Sequence, residues 1–358
     1  MTAWYPLKMT FHIRDYAFGE RLIPGMLGKT GVPPSGRVSE TWEISDHRET
    51  SGVVTNGGFA GKTLHEVTMA HPEALVGQGW HGPHFPMLGK FLDASHRLPV
   101  HLHADDETAA RLHGAPNGKT EAWHILWAAP GASVLAGIEP GKTREDLVAA
   151  FKAQDYDSVM PRHPIAAGDT VYVPGCILHS FGPDTLIFEI QQTSDLGQSV
   201  MPEDLYGNRL SPEQWDAGID ATLAELKTTA LPRPTPGLPV DRGHGANAYR
   251  VGAAGPYFAL ERWTLREPHR QTSPLPGCLL VSNVGEPVGI DFPGGTVMLG
   301  RAESCIIPAA MEAFTIAPTT YGDLIVCHLP DIAGSLLPAL RTAGHGDEEI
   351  GRLGDMGV

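Results

Sequence analysis

The 358-residue chain lacks any short window rich in lysine and arginine, and its 26 basic residues are outnumbered by 41 acidic ones, for a formal net charge of -15. A phosphate backbone calls for a basic stripe, so nucleic acid is excluded as a partner and a small molecule is expected. Long apolar runs are missing too. The opening MTAWYPLKMTFHIRDY is too polar for a secretory leader, and nothing later approaches the ~20 residues needed to cross a bilayer. No membrane partner and a cytoplasmic location are therefore expected. Cysteine is scarce: Cys176, Cys278, Cys305 and Cys327 form no CxxC pair and lie in or beside apolar runs, which predicts buried free thiols rather than disulfides. The tripeptide GKT occurs at 28–30, 61–63, 118–120 and 141–143, never with the preceding glycine spacing that cradles phosphates, so nucleotide hydrolysis is excluded. No repeat of fixed period is present.

What the chain does have is punctuation: 42 glycines and 31 prolines, with 42% apolar residues, describe many short strands joined by turns. Its length exceeds one ordinary core, and two domains are expected. RVSETWEIS and SGVVTNGG read as two strands, then FPMLGKFLDA, RLPVHLHA, EAWHILWAA, SVLAGI, DTVYVPG and TLIFEIQQ as further ones. In the last, Leu186, Phe188 and Ile190 share one face while Glu189 and Gln191 share the other, as in a barrel with a polar interior. Helices are predicted where Thr63 and Glu66 form a capping box, in TREDLVAAFKAQ, and in SPEQWDAGIDATLAELKT, with Ser211 as cap and Pro212 at the first helical position. The Pro-rich LPRPTPGLPVDRGHG is the expected linker, and YFALERWTL through DLIVCHL a second small barrel or sandwich. The domains expected are 1–210, 211–240 for helix and linker, 241–335, and a partly helical, weakly ordered tail at 336–358.

His101 and His103 are two apart on a predicted strand, so their imidazoles share a face and can share a metal. Seventeen histidines make an accidental HxH pair easy, so the pair alone carries little. Glu121 at the start of a later strand and His179 after a PG turn complete a set of three imidazoles and one carboxylate, suited to zinc, manganese, iron or nickel. The order HxH, Glu, His resembles the metal site of the cupin superfamily. His113, His124, His163 and His328 lack comparable partners, and surface or hydrogen-bonded histidine is the expectation for each.

A closer resemblance follows from SETWEISDH, TLHEVTMAHPEALVG, FPMLGKFLDA, LPVHLHADDETA, NGKTEAWHIL, PGCILHSFG, IFEIQQTSD and YFALERWTL, which in this order are similar to motifs of the type I mannose-6-phosphate isomerases. The resemblance covers about Tyr16 to Pro330. It implies a mainly β protein of two cupin (jelly-roll) barrels with a helical insertion, one divalent metal in the first barrel only, and aldose–ketose isomerisation of a sugar or sugar phosphate. The family's ligands fall on His101, His103, Glu121 and His179, with His101 replacing a glutamine. Zinc is the metal by resemblance, while the three-His, one-Glu set also suits manganese or iron. Lys119 and Glu189 fall on cleft positions and are the candidate proton carriers, a buried carboxylate being pushed up in pKa and a lysine beside a cation down. Gln191, Lys90 and Arg209 are the candidate substrate-binding residues, with Asp195 in support. Pro99 and Ser199 stand where the family has a serine and an arginine, which leaves the phosphate clamp incomplete unless Arg209 replaces it. Two other functions share these features: an iron-dependent cupin oxygenase, and a sugar-binding relative without catalysis.

Overall fold

The strand-forming runs fold into four antiparallel sheets, two in each half of the chain, in a computed structural model that describes residues 4–243 and 245–358. The first half supplies β1 (Leu7–Lys8), β2 (His12–Arg14), β3 (Glu40–Ile44), β4 (Met87–Ala94), β5 (His101–Leu102), β6 (Glu121–Ala128), β7 (Ser133–Ala136), β8 (Arg162–Pro164), β9 (Thr170–Val173), β10 (His179–Phe181), β11 (Thr185–Gln192) and β12 (Gln198–Ser199). A six-stranded sheet runs β2-β3-β4-β11-β6-β9, and a five-stranded sheet runs β12-β5-β10-β7-β8. Between them lies an apolar filling in which Trp123, Ile125 and Ile187 from the first sheet meet Val134 and Phe181 from the second. This is the double-sheet form of a jelly roll, without ring closure of any one sheet among the described residues.

Strand β11 is the middle of the larger sheet, antiparallel to β4 and β6, and its register places Glu189 opposite Lys90 and Trp123, and Gln191 opposite Glu121. The period-two alternation predicted for it holds, but its apolar face does not meet solvent. Leu186, Phe188 and Ile190 join Leu280, Ile306 and Ile325 of the second half in one continuous core. At that crossing a Cβ on Gly89 would lie 3.0 Å from Leu280 Cδ1 and 3.2 Å from Phe188 Cζ, so glycine permits the close approach of the two sheets. The second half pairs a seven-stranded with a four-stranded sheet around its own core. Strand β1 belongs to that larger sheet, Leu7 pairing with Ile306 and Lys8 with Cys305.

The helical insertion covers the outer face of the five-stranded sheet. Leu147 and Phe151 from helix Arg144–Ala153 and Ile219 from Pro212–Glu225 pack on Leu102, Leu135 and Leu178. Capping boxes start these helices at Thr143 with Asp146 and at Ser211 with Gln214, and the predicted box of Thr63 and Glu66 starts Leu64–Ala70.

Three local expectations change. SGVVTNGG makes only isolated bridges, Met9 to Val54 and Val53 to Thr63, because it runs beside a short partner segment rather than a full strand. RLPVHLHA shrinks to the two residues of β5, since Pro99 has no N–H to donate and His103 turns off the strand. The tail is packed: Ile350, Leu353 and Met356 are buried in the second core, and Ala254 N–H donates to Leu353 O at 3.0 Å. All four cysteines are free and buried, as predicted. No helix among the described residues is long and apolar enough to cross a membrane.

Candidate metal centre and cleft

The five-stranded sheet brings two histidines face to face, because β10 pairs with β5 in a register that sets His179 opposite His101. Each uses Nδ1 to bond a carbonyl two residues back, His101 to Pro99 O at 2.7 Å and His179 to Ile177 O at 2.8 Å. His103, just past the end of β5, bonds Leu196 O through Nδ1 at 2.7 Å. A carbonyl only accepts, so each Nδ1 carries the proton and each Nε2 is left with a bare lone pair. The three imidazoles nonetheless converge, their ligand atoms lying within 4.8 Å of one another and Nε2 of His101 and His179 only 3.2 Å apart. Two lone pairs at hydrogen-bonding distance repel unless a cation lies between them. Glu121, the first residue of β6, adds a carboxylate whose Oε1 is 3.2 Å from His179 Nε2 and whose Oε2 is 3.3 Å from His103 Nε2.

The donor set fits a divalent ion on these observations: three neutral imidazole nitrogens with their outer nitrogens already fixed, and one ionised carboxylate. Electrostatics agree. Burial lowers the pKa of His101 far below its ordinary value, with His179 and His103 adding to the effect, and lowers that of His103 to about 4, with Lys119 adding. Burial alone would raise Glu121, but Lys119, His103 and His179 outweigh it and hold its carboxyl well below the ordinary range. The indole N–H of Trp123, two residues along β6, donates to Glu121 Oε1 at 2.8 Å and fixes that carboxylate from behind.

Beside this cluster the larger sheet places a chain of alternating charge. Lys119 Nζ lies 3.0 Å from Glu121 Oε2, 2.9 Å from His103 Nε2 and 3.6 Å from Glu189 Oε1. Lys90 Nζ lies 3.2 Å from Glu189 Oε1 and 3.1 Å from Glu40 Oε1. All of these groups are buried. Burial, then Glu121, pushes the Glu189 carboxyl up to about 8, against the opposing pull of Lys90 and Lys119. Its Oε1 takes no well-formed hydrogen bond despite the two ammonium groups nearby. For Lys90 burial acts downward, and Glu189 and Glu40 overcome it and raise the ammonium above its ordinary value.

His101, His103 and Glu121 of the cluster and the charge chain line one cavity of about 330 Å³ that also includes Pro99, Asp195 and Ser199, while His179 is buried and outside its lining. Gln191 stays behind it, its amide donating to Gln192 O and to Ser194 O, and so fixes the loop that carries Asp195. Arg209 is exposed and does not line the cavity, although its backbone bridges to that of Glu203. Of the four histidines expected to stand apart, His113 pairs with Glu225 at 2.9 Å, His328 with Glu261 at 3.2 Å, His124 ties β6 to Arg262 of the second half at 2.6 Å, and His163 lies on β8 away from the cluster. Lys29, in the first GKT, is a buried ion-pair partner of Glu43 at 2.6 Å.

Sequence reasoning did not single out Glu40 or the indoles. The signal was present as ETW, EAW and ERW, each with the tryptophan N–H donating to the glutamate two residues before it: Trp42 to Glu40 at 2.7 Å, Trp123 to Glu121, and Trp263 to Glu261 at 2.7 Å.

Residues 7–122 match the family model described as "Phosphomannose isomerase type I, catalytic domain". The chain is 38% identical over 286 residues to the mannose-6-phosphate isomerase of Streptococcus mutans serotype c, covering 78% of this chain and 86% of that protein. Among solved structures, the mannose 6-phosphate isomerase from Bacillus subtilis superposes with a TM-score of 0.79 at 25% identity, covering 90% of this chain and 99% of that one. A zinc-bound mannose 6-phosphate isomerase shares the fold with a TM-score of 0.68 at 14% identity, over 90% of this chain and 99% of that one.

Proposed function

The chain belongs to the type I mannose-6-phosphate isomerase family of aldose–ketose isomerases, and from that premise we propose that His101, His103, Glu121 and His179 hold its divalent metal while Lys119 and Glu189 carry the proton of the isomerisation. The observation that carries this reading is the convergence of three imidazole lone pairs and a carboxylate next to a buried Lys–Glu pair 3.6 Å apart. Among the described residues that cluster lies in the first half, so the catalytic unit is assigned within residues 1–210, apart from β1, which pairs into the second unit's sheet, with 211–240 as helix and linker and 241–335 as a unit that contributes none of these ligands.

A divalent ion held there by His101, His103, Glu121 and His179, zinc by family and manganese or iron by donor set, would supply Lewis-acid chemistry to the reaction. The reaction takes a proton from C2 and returns it at C1, while the C2 hydroxyl proton passes to the C1 oxygen through an enediol. A group that both accepts and returns a proton works best with a pKa near the working pH. Glu189, pushed up to about 8, is placed in that range by burial. Lys119 offers N–H donors beside both Glu121 and Glu189 and keeps the developing oxygen charge compensated. Lys90, between Glu40 and Glu189, is assigned to hold Glu189 in place and to line the sugar site. Gln191 positions the Asp195 loop from behind, and Arg209 is left without a substrate contact.

This buried proton-carrying pair favours isomerisation over an iron oxygenase, which has no evident use for it. The test is deuterium at C2 of the aldose. Release of the label to solvent during turnover is expected; full retention in the ketose would replace the enediol by hydride transfer, and oxygen uptake with iron bound would replace isomerisation altogether.

A further inference from the structure

Resting on the isomerase reading above, we propose that the cleft selects an uncharged aldose, and that Glu203 and Asp204 at its rim turn away sugars carrying a phosphate. The cavity wall has six carboxyl groups, those of Glu40, Glu121, Glu189, Asp195, Glu203 and Asp204, against two ammonium groups, those of Lys90 and Lys119, and no arginine. Neither lysine is available to a phosphate. Lys90 is held between Glu40 and Glu189 at 3.1 and 3.2 Å, and Lys119 between Glu121 and Glu189 at 3.0 and 3.6 Å. A phosphate drawing either one away would leave a buried carboxylate without its counter-charge. Two further positive charges on a metal ion leave the carboxylates still in excess.

The rim repeats this sign. Segment 203–210 lies against the N-terminal part of the chain, with Ala17 N–H donating to Leu205 O at 2.8 Å and the rings of Tyr16 and Tyr206 5.5 Å apart. Within it Asp204 accepts from the Asn208 side-chain amide, from Asn208 N–H and from Tyr206 N–H, each at 2.9 Å, and these bonds hold its carboxyl below the ordinary range. It is therefore a fixed anion at working pH. Glu203 has no side-chain hydrogen bond or ion pair among the described residues, although Arg209 lies opposite it across a backbone bridge. The hydroxyl of Ser199 on the same wall is already used, donating to Val100 O at 3.3 Å and accepting from Met201 N–H at 3.2 Å. Leu92, Leu98, Phe181 and Leu205 add apolar surface to the wall beside the polar Tyr16 and Gln198. Such walls suit the faces of a neutral ring and disfavour a dianion that must lose its water.

The test compares kcat/KM for mannose and mannose-6-phosphate on one metal-loaded preparation, together with calorimetric binding of mannitol and mannitol-6-phosphate, which resemble the sugars but cannot be turned over. The neutral member of each pair is expected to win by ~10-fold or more, the effect of one uncompensated like charge at a partly exposed rim. Glu203→Lys should move the phosphorylated-to-neutral ratio by ~10-fold toward the phosphosugar in both assays. A phosphosugar that equals or beats the neutral sugar, or a ratio untouched by Glu203→Lys, overturns the selectivity and leaves the isomerase reading standing. Binding of mannitol without turnover of any aldose overturns the isomerase reading instead, while the two hexitols still decide the selectivity.

Discussion

Replacing Trp123 by phenylalanine removes one N–H from behind the candidate metal centre and leaves the ring in the core. The lost bond is 2.8 Å long and ends on an ionised carboxylate, a class worth about 1.5–3 kcal/mol. Trp123 is fully buried, so no water takes its place. Two consequences lower metal affinity: Glu121 is freer to turn from its ligand position, and its carboxylate becomes easier to protonate. One opposes them, since a less hydrogen-bonded carboxylate is a stronger donor. Orientation dominates where the outer partner sets the geometry, and loss of such partners typically costs ~10- to 100-fold in metal affinity. We expect a weakening of ~10-fold or somewhat more. Chelator competition measures it directly. Trp263→Phe is the control, because it removes the same kind of bond, to Glu261, from a site in the second half that holds none of the candidate ligands. If Trp123→Phe binds metal within about threefold of the parent, or if Trp263→Phe weakens it equally, the indole has no role in orienting Glu121.

His103→Ala should lower metal stoichiometry and activity together, read by elemental analysis beside the rate, and full metal with full activity would remove His103 from the ligand set. Lys119→Met and Glu189→Gln should each keep metal and fold yet lose at least ~100-fold in kcat; a near-parental rate in either moves the proton to the other. His124 gives a pH dependence of stability. Burial, then Arg262, lowers its pKa from 6.5 to about 3, so an unfolded chain binds a proton that the folded one refuses. Its contribution is complete above pH 6.5 and is lost as pH falls toward 3, at about 1.4 kcal/mol per pH unit. Urea unfolding between pH 7 and pH 5 should become less pH-dependent by about one proton in His124→Gln; an unchanged slope would contradict a neutral, buried His124.

Strand β11 was legible because a period of two survives any tertiary context, and its polar residues Glu189 and Gln191 could be placed on one face from the sequence alone. That the opposite face is buried against Leu280 and Ile325 was not legible, since a half-buried and a doubly buried strand can show the same alternation. The HxH spacing correctly put His101 on a strand, but His103 is steered by Leu196 O, 93 residues away, and no local pattern encodes such a partner. The same holds for Lys90 and Glu40, which meet across β3 and β4. The capping box at Thr63 and the cap at Ser211 were read well because cap and partner are three residues apart. The acidic rim at Glu203 and Asp204 went unread: it is a cleft wall only because the segment folds back over Ala17.

The pairing of Leu7 with Ile306 joins residues about three hundred positions apart. On a ribosome, made at ~5–20 residues per second, the first strand emerges some tens of seconds before its partner exists. Through that interval β1 has only the local bonds of Lys8 to Asn56 and Thr55 and lacks its cross-strand partner, and the outer face of β11 has no second sheet to cover it. The first half can be drawn by hydrophobic collapse into rough shape early, yet the surface behind Glu189 closes only when the last strands arrive. Translation order thus makes the C-terminal half the step that completes the site, although it contributes none of the four candidate metal ligands.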